Sequence, residues 1–65
     1  MFKAGMTVDV YCDYKKRYQS KVEKIENGHV YVDRAQYYED SGLETFGGDN
    51  YFIKPADSSV PFVPW

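Results

Sequence analysis

The dipeptide Asn27-Gly28, set between Ile25-Glu26 and the apolar run Val30-Tyr31-Val32, limits this chain's fold more than any other feature. A type I′ turn needs positive φ at both central residues, and Asn-Gly meets that need at least cost, so the flanking segments pair as an antiparallel hairpin. In that hairpin Ile25 faces Val30. Upstream, Met6, Val8, Val10 and Cys12 alternate with Thr7, Asp9 and Tyr11. That period of two is the mark of a half-buried strand, and Gly5 before it reads as a turn. Downstream, Tyr51-Phe52-Ile53-Lys54 is a compact apolar strand stopped by Pro55. Between them, residues 35–39 suit a short strand or a helical turn. Ser41-Gly42 and Gly47-Gly48-Asp49-Asn50 have turn and loop chemistry.

The segment 14–26 supports two readings. Tyr14, Tyr18, Val22 and Ile25 follow a helical stripe, with Asp13 as N-cap and Gly28 as stop. As a strand, the same segment must be bulged or sharply bent, because Val22 and Ile25 have opposite parity. The stretch from Gly5 to Val32 resembles the opening of the Tudor and related SH3-like small barrels. It runs from the glycine through the strand with Val8 and Val10, a polar loop to Arg17, then Tyr18, Ser20, Val22 and Ile25, a turn, and Val30 to Val32. The second strand of such barrels is strongly bent, which the parity switch requires. The resemblance therefore favours an all-β, SH3-like (Tudor-like) barrel of about five short strands.

Sixty-five residues make one domain with one small core. Residues 1–55 are expected to form the barrel, and residues 56–65, with Pro61 and Pro64, an extended tail that packs on the domain or on a partner. A lone cysteine, Cys12, closes no internal disulfide, and no apolar run approaches a membrane span or a signal-peptide core. These features suggest a cytoplasmic protein, and a Met-initiated acidic chain of this size suits a complete small regulator of phage or mobile-element type.

The chemistry expected of an enzyme is missing from the pattern. His29, beside the turn, reads as a solvated surface residue, and Cys12, on the apolar face, as a buried structural thiol. One histidine and one cysteine make no zinc site, and the phosphate-cradling glycine motifs are absent, so no catalytic residue, metal or cofactor is expected.

Binding residues stand out instead. Seven tyrosines exceed what a thin core can bury with every hydroxyl partnered. Tyr11 and Tyr31 have the parity opposite to the apolar faces of their strands and should point outward, and Tyr14 and Tyr18 flank the basic run Lys15-Lys16-Arg17. Exposed tyrosines on a rigid sheet make good protein contacts. The Tudor resemblance implies an aromatic cage for methylated cations, with Tyr18 at one cage position. The chain departs from that pattern at Tyr11 and Cys12 and at Val32-Asp33-Arg34, so the expectation carried forward is an aromatic protein-binding face. The tail supplies Phe62 and Trp65, and Pro61-x-x-Pro64 has polyproline-ligand spacing. The leading expectation is thus a non-enzymatic adaptor or small inhibitor that binds a protein. The second is a single-stranded nucleic-acid binder using Lys15, Lys16, Arg17 and the neighbouring tyrosines, although a pI near 5.1 opposes the usual basic footprint.

Overall fold

The computed structural model describes residues 2–45 and 50–64. Its strands are β1 (Thr7–Cys12), β2 (Lys15–Lys21), β3 (Lys24–Glu26), β4 (His29–Val32), β5 (Ala35–Tyr38) and β6 (Tyr51–Pro55). They form two antiparallel three-stranded sheets, ordered β2-β1-β6 and β3-β4-β5. The fold is all-β, as the sequence suggests, but built as two small sheets where one closed barrel was expected. Within residues 14–26, Lys15–Lys21 and Lys24–Glu26 are strand and no residue is helical. Six strands replace the expected five because the second strand breaks in two.

The break explains the parity switch. The Val22 N–H donates to the Met6 carbonyl (2.9 Å) and its own carbonyl accepts from the Gly5 N–H (2.8 Å), so Val22 still belongs to the first sheet. One residue later, the Glu23 N–H donates to Tyr31 O (2.8 Å) in the second. The chain changes sheets between them, which lets both Val22 and Ile25 turn inward. Ile25 faces Val30, as the turn geometry requires.

Three two-residue hairpins of the same handedness link the strands. Asn27 and Gly28 have φ of 52° and 78°, Asp13 and Tyr14 have 54° and 65°, and Asp33 and Arg34 have 50° and 68°. Only the first is spelled in glycine. The other two hold Tyr14 and Arg34 in the left-handed region, where a Cβ crowds the next carbonyl. The expected polar loop ending at Arg17 is therefore a two-residue turn, and Lys15, Lys16 and Arg17 lie in β2.

The core sits between the sheets. Val8, Val10 and Ile53 from the first meet Val30, Val32 and Tyr37 from the second, with Val22 at the corner. Segment 42–45 connects the two: Leu43 bridges to Phe52 and Glu44 to Tyr37. The Ile53 N–H donates to Gly42 O at 2.9 Å. Gly42 has φ +78°, and a Cβ there would fall 2.5 Å from Ile53 O, so only glycine allows this approach.

Candidate functional site

The outer face of the first sheet gathers most of the chain's unusual chemistry. On β1 the inward positions Val8 and Val10 are buried by the core, yet the outward positions Asp9 and Tyr11 are buried too, at 0% and 7% exposure. Two different coverings account for this.

Tyr11 is covered by an aromatic stack. It lies opposite Phe52 of β6, their centroids 4.8 Å apart and their planes 9° apart, and Tyr14 at the hairpin tip reaches to 6.0 Å from Phe52. The Lys54 ammonium lies 5.6 Å from the Tyr11 ring and 5.7 Å from Phe52, within cation–π range. Leu43, across from Phe52, extends the strip. Tyr14 is 83% exposed and Leu43 53%. The expected outward exposure of Tyr11 is corrected: its parity is outward, but the stack takes its surface.

Asp9 is covered by the tail, which doubles back over it. A β-bulge makes this possible. Val10 pairs with Tyr18 but Tyr11 pairs with Lys16, so Arg17 is an extra residue on β2. In a regular strand Lys16 would share the inner face with Tyr18. The bulge flips it outward beside Asp9, where Nζ lies 3.3 Å from Asp9 Oδ2 with the two side chains 3% and 0% exposed. Both groups then use the tail backbone. Lys16 Nζ donates to Asp57 O and Val60 O at 2.7 Å each, and Asp9 Oδ2 accepts the Asp57 N–H at 2.8 Å. Gln19 Nε2 donates to Asp9 Oδ1 at 3.3 Å. Phe62 closes over the ammonium, its ring centre 4.4 Å away.

Farther along the tail, the Val63 N–H donates to Lys16 O (2.7 Å) at the outer edge of β2. Arg17 Nη1 donates to Val63 O (3.2 Å) and Pro64 O (2.6 Å). A sharp Asp57 turn begins the strap, its carboxylate accepting from the Ser59 N–H and hydroxyl at 2.9 and 2.7 Å. Those bonds hold the Asp57 carboxyl below its ordinary value, with smaller help from Lys16.

The expected site residues are thus divided. Lys16 and Arg17 hold the chain's own tail, Phe62 packs on Lys16, and Lys15 and Tyr14 remain exposed. Among the described residues the tail covers the outer face and the β2 edge, and Phe62 keeps 50% of its surface. Trp65 lies outside the described residues, as does most of the glycine loop at 46–49.

Tyr31 is half-buried on the outer face of the second sheet, under the Lys24 ammonium at 4.7 Å, and its hydroxyl accepts from Gln36 Nε2 at 2.7 Å. Tyr18 pairs with Val10 and so lies on the inner side, at the rim near Asp33, Tyr51, Glu44 and the buried Tyr37. Burial raises the Tyr18 and Tyr37 hydroxyls above their ordinary value, reinforced at Tyr18 by Asp33 and at Tyr37 by Tyr18 and Glu44.

Sequence reasoning overlooked Asp9, Leu43, Phe52 and Lys54. Phe52 was legible, since its parity opposes that of Ile53. Asp9 reads locally as one more outward polar residue, and nothing near it in sequence announces the tail forty-eight residues on.

A separate open cleft of about 600 Å³ lies at the other end, lined by Asn27, Gly28, His29, Tyr38, Glu39 and Asp40. There His29 is half-buried against Tyr38, their rings 5.7 Å apart, not fully solvated as its turn position suggested. Among the described residues no cluster of three or more His, Cys, Asp and Glu side chains is placed to hold a metal, and no helix is long and apolar enough to cross a membrane. The chain matches no family model, no curated protein and no solved structure.

Proposed function

We propose that this chain is a non-enzymatic protein-binding module of SH3-like architecture, which acts by occupation as an adaptor or small inhibitor. The architectural part draws on one bent strand, β2 and β3, shared between two sheets that are linked again by segment 42–45. The observation that carries the binding part is the strip Tyr14–Phe52–Tyr11 with Leu43: aromatic rings stacked on a rigid sheet, their exposed end held out on a two-residue turn. Rings fixed in this way bury area on a partner with little entropy to lose. The nucleic-acid reading has less to draw on, because Lys16 and Arg17 give hydrogen bonds to the tail and the aromatic strip is flanked by Asp13 as well as Lys15.

The test is affinity capture from the source cell with the wild type and a Tyr14→Gly/Leu43→Ser variant. Glycine suits the φ of 65° at position 14, so the fold should persist while the exposed end of the strip is lost. A partner present with the wild type should be missing with a variant of unchanged circular dichroism. Equal capture by both would refute the aromatic strip as the contact.

A further inference from the structure

The strap on the outer face is held almost wholly through its backbone. Of residues 57–64, the domain uses the N–H groups of Asp57 and Val63 and the carbonyls of Asp57, Val60, Val63 and Pro64. Pro61 and Pro64, which lack an N–H, fall at positions where the domain asks for no donor. The strap's own side chains are mostly exposed, and Phe62 is half-exposed on Lys16. Segments that bury little apolar surface come from the low-stability end of a fold and open locally before the core does.

We propose that the groove formed by Asp9, Lys16, Arg17 and the β2 edge is a binding site for an extended, proline-containing segment of a partner protein. In the free protein the tail fills that site in cis, and a partner segment of the same chemistry replaces it. Asp9 supplies an acceptor for one main-chain N–H, Lys16 and Arg17 supply cationic donors for carbonyls, and Lys16 O receives the N–H at the edge. The occupant is therefore recognised by its backbone register, with an aromatic side chain at the position of Phe62. This site is separate from the Tyr14–Phe52 strip and does not depend on it.

A covalently tethered competitor acts at an effective concentration of about a millimolar, so binding in trans shows only when the strap is weakened or outcompeted. The probe is a fluorescent synthetic peptide with the sequence of residues 56–64, titrated into the full-length protein. Val63→Pro removes the N–H that meets Lys16 O and should raise affinity for the peptide at least about tenfold over wild type. A peptide carrying the same Val63→Pro change should bind about tenfold more weakly than the unaltered one, and Arg34→Gly, in an exposed turn outside both sites, should bind the unaltered peptide as wild type does.

If folded Val63→Pro binds no more tightly than wild type, the proposal is overturned. If that variant fails to fold, the wild type decides: excess unlabelled peptide should move the Ser59 and Val63 amide resonances to disordered positions and leave Val8 and Val10 in place. Persistence of the docked resonances at about ten times the effective concentration overturns the proposal as well.

Discussion

Replacing Lys16 with methionine probes the most concentrated set of interactions in the molecule. The change keeps most of the stem volume and removes an ammonium that makes one buried ion pair at 3.3 Å and two carbonyl hydrogen bonds at 2.7 Å. It leaves Asp9, fully buried, with the Asp57 N–H and Gln19 as its remaining partners. A buried ion pair adds little over a well-packed apolar pair, because desolvation offsets the attraction, but stranding one of its charges costs about 3–5 kcal/mol. A domain of 65 residues has roughly 3–10 kcal/mol of stability in all, so Lys16→Met should remove a large share of it. Asp9→Asn added to Lys16→Met discharges the stranded carboxylate and keeps an acceptor for the Asp57 N–H. The double variant should recover about 2 kcal/mol, a coupling typical of contacting residues. Urea unfolding with linear extrapolation measures both, and the loss should persist in high salt because the pair is shielded from solvent. A single-variant loss below about 1 kcal/mol, or a double variant no more stable than the single, would show that Asp9 and Lys16 are solvated and that the strap does not cover them.

Two further outcomes concern the hairpins and the core. Arg34→Gly relieves a φ of 68° in an exposed turn and should stabilise by ~0.5–1 kcal/mol after the added freedom of the unfolded chain, raising Tm by a few degrees in a thermal melt; an unchanged or lower Tm contradicts the turn geometry. Tyr37 has a folded pKa raised above its ordinary 10.0, first by burial, so its stabilising contribution is complete below pH 10 and is lost as pH climbs beyond it. Tyr37→Phe should push the midpoint of alkaline unfolding upward, followed by circular dichroism, and an identical midpoint would mean that this hydroxyl is not buried.

How much was legible varied with the range of the interaction. The β1 and β6 strands and the Asn27-Gly28 hairpin are local patterns, a period of two and a turn dipeptide, and each stands where the sequence places it. The β1–β2 hairpin was hidden because Asp13 and Tyr14 adopt a turn that glycine normally signals. The ion pair was hidden for another reason. Lys16 reaches Asp9 only because Arg17 is a bulge residue, and a bulge leaves no mark in hydrophobic periodicity. The tyrosine surplus was partly misleading for the same reason, since Tyr11 has an outward parity but a neighbour, Phe52, that shields it.

By itself the sequence determined the β1 and β6 segments with their apolar faces and the Asn27-Gly28 hairpin, and left residues 14–26 open between a helix and a bent strand. Alternation and turn chemistry act over two to four residues and need no knowledge of the rest of the chain. Only the tertiary structure decided that Lys16 and Arg17 of the basic run hold the chain's own tail and that Tyr11 is covered by Phe52 while Tyr14 and Leu43 stay exposed. Those outcomes depend on pairings between residues about forty positions apart, where the energy of a buried charge and the geometry of one inserted residue select the partner.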